Sequence, residues 1–336
     1  MLKLQKFKAF LPFFTLFFLL IFCLSACSAS IPKKVEAKTE NEFLLNTLVS
    51  ITYYEDADAD AVKEALALCR DYELIFSRTA ADSELSRLNE SGGMTVSADL
   101  LNVLRIALDY CEKTDGAFDI TMGALSSLYD FSGSDPHVPA PDDLRSALSH
   151  VDYQKIQIDG STVTLGDRAA VVDLGAVAKG YIADRMKQFL RDRGVEHAII
   201  SLGGNVLCLG GRPDGTDFTV GIRYPEQGSS KTVAKLCTSE LSVVTSGVYE
   251  RYFEANGRTY HHILDPRTGE PLDNGLLAVS VVGPESVHCD ALSTACFALG
   301  LEAGLTFINS IPDYDAIFIT EDTQLHYSDN IKSLLS

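Results

Sequence analysis

Positive charge is what this sequence of 336 residues has least of. Its 28 lysines and arginines stand against 46 aspartates and glutamates, for a formal net charge of −18. A nucleic-acid surface needs clustered cations to displace phosphate counterions, so this balance argues against nucleic acid as a partner. An anionic small ligand is still allowed, because a bound metal ion can reverse the local sign. No CxxC pair is present among the eight cysteines. Beyond the leader, Cys69, Cys111, Cys208, Cys237, Cys289 and Cys296 are scattered, which favours buried free thiols over a disulfide framework. The GxGxxG fingerprint and the Walker pattern are also missing, as are an internal repeat and an evident linker after residue 45. What is there is 46% hydrophobic residues, enough for a sizeable globular core.

The first 27 residues stand apart. Lys3, Lys6 and Lys8 precede an apolar run from Ala9 to Phe22, and Leu-Ser-Ala-Cys follows at 24–27. The pattern is that of a secretory signal ending in a bacterial lipobox, with Cys27 the lipidated residue. A plain signal peptide or an anchor helix is the other reading, although the run is short for a membrane span. Polar residues 28–41 read as a flexible tether, leaving 42–336 as the folded domain. A lipid anchor would place that domain on the extracytoplasmic face of a bacterial cell membrane.

Along the domain, NTLVSITYY (Asn46 to Tyr54) alternates as a strand, and Val62, Leu66, Cys69 and Phe76 recur at helical spacing. FSRTAADSELSRLN (Phe76 to Asn89) reads as a departure from that helix and a turn. Leu101, Leu104, Leu108 and Cys111 mark a second helix. Asp159-Gly160 sits between alternating residues, a two-residue hairpin signal. Ala170 to Val172 reads as a short buried strand leading through a glycine turn into a helix. The second half is mostly strands, except that Ala291, Ala295 and Ala298 line one face of a helix from Asp290 to Leu299. Helices interspersed with antiparallel strands give an α+β fold.

Three segments carry candidate chemistry. Asp290 and Thr294, at i and i+4, point the same way, and a carboxylate beside a hydroxyl suits a hard cation such as magnesium. The plainer reading makes Asp290 the N-cap of its own helix. DLGAVAKG (Asp173 to Gly180) can bring backbone near a ligand and offers Lys179 to phosphate oxygens, or is simply a strand-to-helix turn. YHHILDPRTGEP (Tyr260 to Pro271) holds two histidines that could act as a general base, or is a structured turn in which Asp265 and Thr268 bond local backbone.

Taken in order, FSR with SELSRLN, TDGAFDITMGAL, VDLGAVAKGYIADR, SLGGNVLCLG, VVTSGVYERYF, HILDPRTGEP and DALSTACFALG resemble the motifs of the ApbE family of FAD:protein FMN transferases. The resemblance implies a compact T-fold-related α+β domain that binds FAD and, with magnesium, moves FMN onto a Thr or Ser hydroxyl of a partner protein, releasing AMP. Carried over by position, it implies magnesium at the side chains of Asp290 and Thr294 and the carbonyl of Ala176. It implies FAD contacts at Leu45, Arg78 or Thr79, Ala117, Phe118, Asp119, Asp173, Lys179, His262 and Ile263. His262 becomes the expected base, with His261 the weaker candidate. Exported flavoprotein subunits of membrane electron-transfer systems are the implied acceptors. FAD hydrolysis to FMN and AMP, or flavin binding without catalysis, are the competing readings.

Overall fold

A computed structural model describes residues 36–335 apart from 55, 56, 132–134, 227 and 230. The expected secretory leader with Cys27 and residues 28–35 lie outside the described residues. β1 (Ala37–Leu44) and β2 (Thr47–Tyr54) form a hairpin. Its turn residues Leu45 and Asn46 have φ of 55° and 56°, as a type I′ connection requires. β1 is a correction to the expected tether: residues 37–41 pair along β2 through their backbones. Apart from Ala37 their side chains are polar, and all but Glu40 are exposed, so this stretch leaves no apolar alternation in the sequence.

α1 (Ala59–Phe76) buries Val62, Leu66, Cys69 and Phe76 as their spacing predicts. The expected turn before Asn89 is instead partly helix, α2 (Glu84–Ser91). A cap makes it: Ser83 Oγ accepts from Ser86 N at 3.0 Å, and eight residues are too few to show a clear apolar period. After β3 (Gly93–Thr95), α3 (Ala98–Lys113) buries Leu100, Val103, Leu104, Ala107 and Cys111. The buried face is therefore rotated from the expected one, with Leu101 and Leu108 at its margin. α4 (Gly123–Tyr129) and α5 (Pro141–Leu148) follow. The hairpin at Asp159-Gly160 forms as β4 (Gln157–Asp159) and β5 (Thr162–Thr164), with β3 pairing on β5. Ala170–Val172 is not a strand; Val171 makes an isolated bridge to Met122. The Asn89 side chain stands in for a strand partner there, accepting from Val172 N at 2.8 Å and donating to Val172 O at 3.0 Å.

The remaining elements are α6 (Ala178–Asp192), β6 (Ala198–Leu202), β7 (Asn205–Leu209), β8 (Phe218–Arg223), β9 (Thr232–Thr238), β10 (Ser242–Gly247), β11 (Tyr252–Ala255), β12 (Arg258–His261), β13 (Leu276–Gly283), α7 (Ser286–Leu299), α8 (Leu301–Asn309), β14 (Asp315–Thr320) and β15 (Leu325–Tyr327). An eight-stranded sheet orders them β1-β2-β6-β7-β10-β13-β14-β15, with every neighbouring pair antiparallel. Strand alternation sends Leu207, Val244, Val279, Val281 and Phe318 to one face, against α1, α3, α6 and α7. Cys208, Val243, Val282 and Ile317 go to the other, against the β8–β9 hairpin and Ile331. The fold is α+β, with antiparallel sheets and packed helices. Among the described residues no helix is long and apolar enough to cross a membrane. Cys69, Cys111, Cys208, Cys237, Cys289 and Cys296 are all free thiols, and all but Cys237 are buried.

Candidate functional site

A cleft of about 720 Å³ opens where the β1–β2 turn, the loop before α6, β10 and α7 converge. Its walls include Leu45, Arg78, Thr79, Ala117, Phe118, Asp119, Asp173, Ala176, Lys179, His262, Ile263, Asp290 and Thr294. The residues expected at the site thus lie around one space, although they come from segments up to 249 positions apart in number, from Leu45 to Thr294. His261 is not among the lining residues.

α7 supplies Asp290 and Thr294, the side chains at which a cation is expected. The helix starts at Ser286, with Glu285 at its N-cap position, so Asp290 lies more than one turn inside and does not cap its own helix. It caps a different one: Asp290 Oδ2 accepts from Gly180 N at 2.9 Å, in the first turn of α6. A side chain at position 180 would put its Cβ 2.2 Å from Ser286 O, so the two helices meet this closely because Gly180 has none. Asp290 is 3% exposed, and its Oδ1 lies 3.5 Å from Lys179 Nζ, which also donates to Gly175 O at 2.8 Å. One turn on, Thr294 Oγ1 is 3.0 Å from Ser246 Oγ of β10.

These groups fit a hard cation. A buried carboxylate with a shared ammonium at salt-bridge distance, a hydroxyl and the Ala176 carbonyl are all oxygen donors, the kind magnesium takes. Among the described residues there is no cluster of three or more His, Cys, Asp or Glu able to hold a metal. A cation here would therefore complete its shell with ligand phosphate and water. Cys289, beside Asp290, has its Sγ 3.9 Å from Ser242 O, and complete burial holds the thiol well above its usual pKa. It is a packed thiol and not a reactive one.

The opposite wall is built from polar turns. Arg78 Nε donates to Asp173 Oδ2 at 2.9 Å and its Nη1 to Ser127 Oγ at 2.6 Å. The other Asp173 oxygen accepts from Gly175 N at 2.9 Å, which shapes the DLGA loop. Asp119 is turned to structural work: one oxygen accepts from Thr121 N at 2.7 Å and Thr121 Oγ1 at 2.6 Å, the other from Tyr153 N at 3.2 Å. Burial raises its carboxyl above the usual value. Its contribution to the site is the shape of the GAFD turn, with Phe118 N held by Thr114 Oγ1 at 3.0 Å.

The two histidines differ. His261 is buried, with Nε2 2.9 Å from Leu272 O, and its Nδ1 has no partner among the described residues. Half-buried His262 lines the cleft. Its Nδ1 lies 3.3 Å from Arg251 O, so Nδ1 carries the proton and Nε2 the lone pair. Desolvation, then the nearby Arg251, pushes its pKa down to about 3, so the ring is neutral at pH 7 with its lone pair free but weakly basic, and negative charge on a ligand beside it would raise that basicity. The DPRTG turn that follows is also a built structure: Asp265 Oδ1 accepts from Arg267 N at 2.9 Å and Asp265 O from Gly269 N at 2.8 Å. The structured-turn reading of this segment therefore holds, and His262 lies on the cleft wall beside it.

Other lining residues had not been singled out in sequence: Glu73, Ser127, Ser246 and Arg251. Glu73 Oε1 accepts from Leu45 N at 3.0 Å and fixes the hairpin turn at the rim. Ser246, near the end of β10, and Arg251, in the turn before β11, belong to the VVTSGVYERYF segment, whose single serine and single arginine are the available signal.

The chain resembles known proteins over most of its length. Residues 45–318 match the profile of the ApbE family. A FAD:protein FMN transferase of Treponema pallidum is 34% identical over 320 residues, covering 89% of this chain and 88% of its own. One from Klebsiella pneumoniae is 36% identical over 287 residues, covering 84% and 89%. Among solved structures, the ApbE protein of Thermotoga maritima superposes with a TM-score of 0.82 at 27% identity, covering 90% of this chain and all of that one. The flavin transferase ApbE of Vibrio cholerae gives 0.81 at 26% with the same coverage.

Proposed function

This chain belongs to the ApbE family, and from that premise we propose that it moves FMN from FAD to a Thr or Ser hydroxyl of an exported flavoprotein. The chain is an enzyme of flavin transfer, as its relatives' names indicate. The proposal adds a magnesium requirement, a phosphoester product and AMP as leaving group. The observation that carries it is the meeting of Asp290, Thr294, Ala176, Lys179 and His262 around one cleft.

In this reaction the acceptor oxygen bonds to the FMN-side phosphorus as the bond from that phosphorus to the bridging oxygen breaks. AMP leaves with the electron pair. His262 Nε2 takes the hydroxyl proton, its lone pair kept available by the Nδ1 contact to Arg251 O. Lys179 and Arg78 offer positive charge to the pyrophosphate, and the Arg78–Asp173 pair holds the guanidinium in place. A magnesium ion bound by Asp290, Thr294 and the Ala176 carbonyl would neutralise pyrophosphate charge and stabilise the departing AMP. Lipidation at Cys27 would hold the enzyme at the extracytoplasmic face of a bacterial membrane, beside acceptor subunits of membrane electron-transfer systems.

The test combines the protein, FAD, magnesium and a fragment of an exported flavoprotein. Expected are an FMN-sized gain in fragment mass and an equivalent of AMP, both lost in Asp290→Ala. AMP without the mass gain would mean FAD hydrolysis; neither product from the wild type would leave a flavin-binding protein.

A further inference from the structure

α7 is buried over most of its length: ten of its residues between Ser286 and Phe297 are buried, Ser286, Asp290 and Ser293 among them. Beyond Val287, side chains tie it to its neighbours: Ser293 Oγ and Thr294 Oγ1 lie 2.8 and 3.0 Å from Ser246 Oγ, and His288 Nδ1 lies 3.0 Å from the Tyr110 hydroxyl. Its first turn is uncapped by its own chain, since Glu285 makes no side-chain cap bond. The first free amides find their acceptors on α6: Asp184 Oδ1 accepts from Ser286 N at 2.9 Å and Oδ2 from Val287 N at 2.8 Å. In return, Asp290 Oδ2 on α7 accepts from Gly180 N on α6 at 2.9 Å. Each helix thus caps the other, and Gly180 lets Ser286 approach within backbone contact. Ser286 Oγ, donating to Asn205 Oδ1 at 2.7 Å, ties the same point to β7.

Resting on the proposed reaction, we infer that Asp184 is a positioning residue for the expected cation site: by holding the start of α7 it sets where Asp290 and Thr294 stand. The lever is short. Val287 and Asp290 are three residues apart, about 4.5 Å of helix rise, so a shift at the cap is passed to the carboxylate almost undiminished.

The experiment uses the full chain and its Asp184→Ala, Asp184→Asn and Ser97→Ala variants. Ser97 caps α3 by accepting from Leu100 N at 3.2 Å and is not a cleft-lining residue, so it reports what losing a cap does to stability alone. Mn²⁺ binding is followed by loss of its free-ion resonance, and hydrogen exchange is followed at the Gly180 amide. Asp184→Ala should weaken Mn²⁺ binding about 10- to 100-fold, the usual range for outer partners of a metal site. It should also speed Gly180 exchange and raise the metal concentration needed for FMN transfer more than it raises the KM for FAD. Asp184→Asn keeps one acceptor and should fall between; it carries the test if the alanine variant does not fold. Ser97→Ala should lower Tm and move neither metal binding nor Gly180 exchange. Wild-type Mn²⁺ affinity and wild-type Gly180 exchange in a destabilised Asp184 variant would overturn the inference, making Asp184 an ordinary cap. A wild-type protein that neither binds Mn²⁺ nor transfers FMN would instead sink the underlying reaction, while Gly180 exchange would still decide whether Asp184 fixes Asp290.

Discussion

The two faces of the eight-stranded sheet are covered by the same kinds of apolar side chain, yet one of them is wet with polar obligations and the other is not. On the helical face, Asp184, Asp290, Ser286, Ser293 and Asn205 are buried or half-buried and tied to one another or to helix ends. On the opposite face, Phe218, Ile222, Leu236, Ile317 and Ile331 form an apolar cluster, beside which buried Thr238 accepts from Leu241 N at 3.0 Å. Burying polar groups costs free energy unless each is hydrogen-bonded. A fold that concentrates them beside one cleft is holding functional groups there, while the second face supplies stability without chemistry. Substitutions on the two faces should therefore separate activity from stability.

The sharpest separation is expected between His262 and Phe218. His262→Ala should lower kcat for FMN transfer by about 10² to 10⁴, the range for a general base, with little change in Tm. Phe218 is 2% exposed on the apolar face, and Phe218→Ala should cost about 3 to 5 kcal/mol of stability, with transfer per folded molecule unchanged. Steady-state kinetics alongside urea denaturation read both. A Phe218 variant that stays stable but loses kcat would break the division of labour.

The same division shows in what the sequence disclosed. The helical and strand periods of α1, β2 and the β4–β5 hairpin were legible because they alternate apolar and polar residues at fixed spacing. β1 and α2 were not: one is exposed on five of its eight residues and shows no apolar alternation, and the other rests on a serine cap. The strand at Ala170–Val172 misled because its composition suits a strand while its partner is the side chain of Asn89. At the site, the motifs marked which segments matter, and the cleft brings them together. What the motifs left out is who holds whom: Asp290 has the composition of a cap, and nothing local says that it caps α6 and not α7. Such pairings between residues 110 positions apart become visible with the helices side by side.

Gly180 lies where the two roles meet, so its substitution should not separate them. In Gly180→Ala, the new Cβ would stand 2.2 Å from the backbone oxygen of Ser286, which a flexible side chain cannot relieve. Forcing α6 and α7 apart should cost about 3 kcal/mol, in the overpacking range. Because the displaced amide is the one bound by Asp290, kcat should fall with stability. Thermal unfolding and kinetics on the one variant test this; a loss of stability alone would move Gly180 to the structural side.

The smallest effect expected is a pH dependence confined to the helical face. Burial raises the Asp184 pKa to about 6; its bonds to Ser286 N and Val287 N pull the other way, Glu285 pushes it up and Lys187 pulls it down. The folded protein therefore holds this proton more tightly than the unfolded chain, whose carboxylates titrate near 3.9. The corresponding stability is fully present below about pH 4 and is lost as pH rises through about 6. For a shift of this size on a partly exposed group the change is about 2 kcal/mol. Asp184→Asn cannot titrate, so the stability difference between wild type and variant should change across pH 4 to 6 and level off above pH 7. Phe218→Ala should lower the whole curve evenly, since no titrating group is removed. Urea denaturation at each pH measures both, and a wild-type difference from the Asn variant that is flat from pH 4 to 7 would show that Asp184 is ionised throughout and that its two amide bonds outweigh its burial.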